Sequence, residues 1–311
     1  MDEEATTVIR TICAGLILLP TVIGLTIHLI VLTALYKGRK IFYKNSFYLI
    51  ITQIIGCNIY SLFLLLYIAF PIILTGVQYM GDSFVFYYGP LFLESVTFSG
   101  MVLLTFLLTI NRLTIFILPK LNVVLFTVKN TLLISGILWL YNFALTTSIE
   151  ISGCKKLFSK DEFYLWDDCT KTINGGFMLI QTYQELLLTS LMCFIYVTIY
   201  IKIKISQKYS TNAFKNEKVF LIQTIPLSVI LAVELLAFKL IPMLNVTDNR
   251  RLFINISGSL LIILVDITSP ILLLLFNKDI QKFASDIFFS SLFQSPSSLS
   301  RRHIQSFLHN K

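Results

Sequence analysis

Charge is what this sequence has least of. Only 14% of its 311 residues are Asp, Glu, Lys or Arg, where soluble domains run near 25%. Hydrophobic residues make up 56%, and the mean hydropathy is +0.79. Those proportions exclude a water-soluble globular domain and a disordered chain alike. Histidine is nearly absent too: of three, His303 and His309 lie close to the C-terminus. No HExxH pair, Gly-x-Ser-x-Gly elbow or metal-ligand cluster is present, so neither an enzyme nor a bound cofactor is expected. Five cysteines do not make a disulfide scaffold, because Cys13, Cys57 and Cys193 lie in apolar runs and only Cys154 and Cys169 share a polar loop. The first residues, MDEEATTVIR, lack the basic region of a cleaved signal peptide, so the first span should act as its own insertion signal. The net charge of +8 is spread through short loops, which argues against a nucleic-acid partner. There are no internal repeats.

What the chain has in abundance is long apolar runs. Seven of them, at 8–36, 47–74, 90–118, 130–151, 173–203, 219–244 and 252–276, hold the ~20 residues that a bilayer crossing requires. The expected fold is all-α, a membrane protein built as a seven-transmembrane helix bundle surrounded by lipid. Pro20, Pro71, Pro226 and Pro270 should kink or end their spans. Basic residues gather on one side: Lys37, Arg39, Lys40 and Lys44 after the first span, and Lys202, Lys204, Lys208, Lys215 and Lys218 between the fifth and sixth. The positive-inside rule then puts the N-terminus outside the cell and the tail in the cytosol. Cys154 and Cys169 would face an oxidising space and are expected to pair. Asn245-Val246-Thr247 is a glycosylation sequon in the third outer loop, whereas Asn255-Ile256-Ser257 lies inside a span and carries no such meaning. After the seventh span, Phe276, Ile280, Phe283 and Ile287 recur on one helical face, predicting a short amphipathic helix on the inner membrane surface.

Polar residues within the apolar runs are the next signal, because each is costly there. The stretch MVLLTFLLTINRLTIFILPK, residues 101–120, places Asn111-Arg112 about 10 Å inside the end of the third span at 1.5 Å per residue. An arginine at bilayer depth costs about 2.5–3.5 kcal/mol, so Arg112 is either a snorkelling anchor or a switch residue at the cytosolic end of a signalling helix. His28, Asn58 and Asp266 lie at similar depths on spans one, two and seven, an arrangement expected to form a polar cluster or structural hydrogen bonds between helices. Toward the outer side lie Glu94, Gln181, Gln184, Glu185, Glu234 and Lys239, with Phe92, Phe98, Tyr183 and Phe238 among them. A few polar groups among aromatics between helices are the usual form of a small-molecule site.

Several strings carry a resemblance. Gly24 is followed by Asn45-Ser46-Phe47 with Gln53 at the start of the second span and Pro71 near its end. Ile110-Asn111-Arg112-Leu113, Pro119, Leu125-Phe126, the paired cysteines, Ser269-Pro270 and Phe276-Asn277-Lys278-Asp279 complete the pattern. With seven spans, these residues resemble nematode serpentine chemoreceptors of the class x and xa kind, within the rhodopsin-type G-protein-coupled receptors. The resemblance implies a chemosensory receptor of the plasma membrane of sensory neurons, detecting a small-molecule or peptide-like ligand and activating a heterotrimeric G protein. Composition divides the chain into a receptor domain over residues 1–289 and a Ser-rich cytoplasmic tail over 290–311. Ligand contacts would fall to Glu94, Phe98, Gln181, Glu185 and Glu234, and G-protein coupling to Asn111, Arg112, Lys204 and Lys218. The chain departs from the rhodopsin pattern in having Asn111 where an aspartate would lock the arginine, and in lacking the tyrosine after Ser269-Pro270. No cysteine begins span three. The rival reading is a seven-span channel or transporter that uses His28, Asp266 and Glu234.

Overall fold

Each apolar run holds a helix in the computed structural model of the chain, which describes residues 2–160, 162–170, 176–206, 212–240 and 249–293. Span 1 is Asp2–Lys37, span 2 Ser46–Thr75, span 3 Phe84–Ile117, span 4 Val128–Ile151, span 5 Gly176–Ser206, span 6 Asn212–Leu240 and span 7 Asn249–Phe276. All but span 6 contain a stretch long and apolar enough to cross a bilayer, and in span 6 the apolar part is Thr224–Phe238. Span 3 is the axis: 67% of its most apolar stretch is buried, against 22% for span 4. It touches spans 2, 4, 5 and 6, while span 7 closes the ring against spans 1, 2 and 6.

Local chemistry sets the ends. The Asn45 side chain accepts from Phe47 N (2.9 Å) and the Thr127 hydroxyl from Asn130 N (3.2 Å), satisfying helix-terminal amides that have no partner within the helix. Gly76, with φ 72°, ends span 2 in the left-handed conformation that glycine adopts without steric cost. The prolines leave a different mark. Pro71 has no N–H for the carbonyl of Tyr67 four residues back, and that carbonyl instead accepts the Tyr79 hydroxyl at 2.6 Å. Pro90 leaves the carbonyl of Phe86 in the same state, and the Tyr67 hydroxyl donates to it at 3.2 Å. Both prolines follow π-helical turns, Leu65–Ala69 and Phe84–Tyr88.

Trp139 Nε1 donates to Gln53 Oε1 (2.8 Å) and Asn142 Nδ2 to the Val96 carbonyl (2.7 Å), joining span 4 to spans 2 and 3. Span 1 meets its neighbours through Gly24, where a Cβ would lie 2.6 Å from Ile267 Cγ2 and 3.1 Å from Leu62 Cδ1. Gly24→Ala should therefore cost about 1–3 kcal/mol through overpacking, read as a lower melting temperature in detergent. Adding Ile267→Ala should recover part of that loss; no recovery would show that the close approach is not what matters.

The helix after span 7 is Lys278–Phe293, so it extends beyond residue 289, where the sequence places the start of the tail. Asn277 begins it: its Oδ1 accepts from Ile280 N (3.1 Å) while its Nδ2 donates to the Tyr48 hydroxyl (2.7 Å). Ile280 and Ala284 are buried, and Phe283 packs edge-on against Phe42 of the short helix Arg39–Phe42. Phe276, expected on the same buried face, is instead 40% exposed, because Asn277 interrupts the helix between them. A second short helix, Pro119–Leu125, follows span 3.

The connection between spans 4 and 5 folds into an antiparallel hairpin, β1 (Lys155–Ser159) and β2 (Tyr164–Asp168), with Lys155 opposite Asp168. Extending that register by one pair sets Cys154 against Cys169, and the two are joined by a disulfide. Phe163 in the turn has φ 59°, an uncommon conformation for a side-chain-bearing residue. Its ring is fully buried, in the cluster that includes Ile17, Leu62 and Ile72.

Candidate functional site

Beneath the hairpin lies a cavity of about 570 Å³, within the size range of small-molecule sites. Span 3 contributes Glu94 and Phe98, span 5 Gln181 and Glu185, and span 6 Glu234 and Phe238. The structure thus brings Glu94, Phe98, Gln181, Glu185 and Glu234 to one space. Phe92 joins them, but Tyr183 points away with 67% exposure. Neighbouring residues on a helix diverge by about 100°, and here Glu185 turns inward while Gln184 bonds the Tyr141 hydroxyl on the bundle's outer face. Gln181 Nε2 donates to Glu185 Oε1 across one turn, at 2.9 Å.

The hairpin supplies what the sequence did not single out. Its face carrying Lys156, Leu165 and Asp167 lines the cavity, and Lys156 stands opposite Asp167 across the strands. Lys156 Nζ forms an ion pair with Glu94 and lies 5.6 Å from the Phe98 ring centre. Burial alone would lower the lysine's pKa, but Glu94, Asp167 and Glu185 outweigh that and hold it above the ordinary value. The hairpin is tied down elsewhere as well. Tyr87 Oη accepts from Phe158 N (3.1 Å) and donates to Phe158 O (3.4 Å). Arg10 Nη1 donates to the Lys160 and Ile73 carbonyls (3.2 and 3.3 Å), with its guanidinium 5.0 Å from the Phe163 ring. Asn255, set aside in the sequence as a meaningless sequon, donates through Nδ2 to the Glu162 carbonyl at 2.7 Å and lines the cavity.

Deeper in the bundle, Asn58 Nδ2 donates to the Asp266 carbonyl (2.9 Å) and Ser269 Oγ (3.2 Å), joining span 2 to span 7. His28 is fully buried but bonds within its own span, Nδ1 donating to the Gly24 carbonyl at 2.8 Å. Of the three residues expected to cluster, two are joined by a hydrogen bond and the third is not.

At the surface-helix end, Arg112 is buried, with its guanidinium 4.6 Å from the Phe47 ring centre and within electrostatic reach of Tyr48 and Tyr196. Asn111 Nδ2 donates to Ser46 Oγ (3.3 Å) and Asn122 Oδ1 (3.4 Å), and Thr114 Oγ1 donates to the same Asn122 oxygen (3.0 Å). Spans 2 and 3 and the Pro119–Leu125 helix are thereby linked around the arginine. Lys204 points outward from span 5, 5.7 Å from the Tyr200 ring. Lys218 falls within span 6, but its side chain, like that of Lys239, lies outside the described residues, as do Asn245 and the tail from residue 294.

A helical bundle with a covered cavity at one end and a buried arginine at the other now meets one further observation. Residues 18–277 match the family described as serpentine type 7TM GPCR chemoreceptor Srx. The chain belongs to that family. It is an integral membrane receptor and not an enzyme, as the motifs around Asn45-Ser46-Phe47 and Ile110-Asn111-Arg112-Leu113 had suggested. No curated protein matches this Srx receptor.

Proposed function

We propose that this Srx receptor sits in the plasma membrane with its N-terminus and hairpin outside, binds a small molecule in the hairpin-covered cavity, and activates a heterotrimeric G protein at the opposite, basic end. The observation that carries the reading is the convergence of Glu94, Phe98, Gln181, Glu185 and Glu234, from three spans, on one 570 Å³ space. Ligand contacts to spans 3, 5 and 6 give a cue different affinities for different arrangements of those spans, the requirement for any ligand-driven switch. Arg112 and Asn111, where spans 2 and 3 meet, are the residues assigned to coupling, with Lys204 and Lys218 on the adjoining spans 5 and 6.

Cells expressing the chain with a promiscuous G protein, screened with a small-molecule library, should give a calcium response. Arg112→Ala should abolish it at equal surface expression, and an N-terminal tag should label on intact cells. A tag that labels only after permeabilisation would reverse the topology. Ligand-evoked current that survives without any G protein would establish the rival channel, in which His28, Asp266 and Glu234 serve as the intramembrane relay.

A further inference from the structure

The lining of the cavity is unbalanced in charge. The acids Glu94, Glu150, Asp167, Glu185 and Glu234 face it against a single base, Lys156, among the described residues. That one positive charge is already committed, to Glu94 through the ion pair and to Asp167 across the hairpin. An anionic ligand would have to break this arrangement and would find no other basic side chain in the described lining. Glu234 stands apart from the pair. It is 1% exposed, faces the cavity, and its Oε2 has no hydrogen-bond partner. The charged groups within its reach are Asp266, Glu94, Lys156 and Glu185, three of them acids. A buried carboxyl oxygen without a donor is costly, and among so many acids a cation offsets that cost best.

The rest of the lining is suited to an organic cation and not to a metal. Phe92, Phe98 and Phe238 line the space, and aromatic rings attract a positive head and cover an apolar body. No three His, Cys, Asp or Glu side chains among the described residues converge closely enough to hold a metal ion.

We propose that the cavity takes a small organic cation, an ammonium head on an apolar, ring-bearing body, with Glu234 as its counter-ion and the Glu185–Gln181 pair alongside. This rests on the reading of the cavity as the ligand site and adds the chemical class. Lys156 has a defined part in it: by neutralising Glu94 it directs the incoming charge to Glu234.

The test uses matched probes on the intact receptor in cells: 2-phenylethylamine, tyramine and tryptamine, each beside the carboxylic acid and the alcohol of the same skeleton. At least one amine should evoke a response that its acid and alcohol analogues do not. Glu234→Gln, which keeps shape and removes charge, should raise the half-maximal concentration at least tenfold at equal surface expression. Because a buried substitution can impair folding, purified wild-type receptor in detergent should also melt higher with the active amine than with its acid. Acids or alcohols that act as well as the amines would overturn the proposal, as would an unchanged amine response in Glu234→Gln, or silence to every amine. Coupling is independent of the ligand's charge: any cue whose response disappears in Arg112→Ala upholds the receptor function.

Discussion

Replacing Lys156 with methionine should unseat the hairpin. The substitution keeps the length of the side chain but leaves Glu94, whose side chain is only 5% exposed, as a buried carboxylate without its partner. Removing one member of a buried ion pair typically costs about 3–5 kcal/mol, because the remaining charge is uncompensated. The loss should appear as faster hydrogen exchange across residues 155–168 and a lower melting temperature in detergent. Combining it with Glu94→Gln should recover most of the loss, since two neutral side chains can share the site at little cost. A double variant no better than the single one would mean that the hairpin is held by its other ties. The pH dependence follows from the lysine's raised pKa. A group whose pKa rises on folding stabilises fully below its unfolded value, about 10.4 for lysine, and loses that contribution as pH climbs through the folded value. The lysine's share of the anchoring should thus hold at every pH below about 10 and fail only in strong alkali.

Phe47→Leu should raise signalling in the absence of any cue. In rhodopsin-type receptors an acidic neighbour restrains the arginine; here that neighbour is Asn111, and the Phe47 ring faces the buried guanidinium at 4.6 Å. A desolvated cation–π contact is worth about 2 kcal/mol, close to thirty-fold in a two-state equilibrium. Leucine keeps much of the apolar contact and removes the ring. Basal G-protein activation should rise several-fold or more with unchanged surface expression, while Phe47→Tyr should stay near wild type. A basal level that does not move in Phe47→Leu would remove the ring from the resting restraint.

The spans were legible because a bilayer imposes one length on them; their starts were less so, since the caps at Asn45 and Thr127 begin two of the helices a residue or two before the apolar runs do. The surface helix followed from its apolar periodicity, except at Phe276, where Asn277 breaks the helix. The hairpin was not legible: its strands are five residues each, and their charged residues read as solvated loop. Lys156 in particular looked like any lysine outside a membrane until the register aimed it at Glu94. Phe47 entered only as part of the Asn45-Ser46-Phe47 string and not as a neighbour of Arg112, because an arginine's partner is sought first among acids. The π-helical turns before Pro71 and Pro90 also left no local signature, since their compensating hydroxyls come from Tyr79 and Tyr67, at a distance along the chain.

The ties of the hairpin reach three different spans: Arg10 from the first, Tyr87 with Glu94 from the third, and Asn255 from the seventh. Three posts under one roof form a tripod, and a tripod keeps its feet at fixed spacing. A tilt is thereby easiest for the fifth and sixth spans, which none of these three ties holds, and at their far ends a modest tilt becomes a wide swing, as with a lever pinned near its short arm.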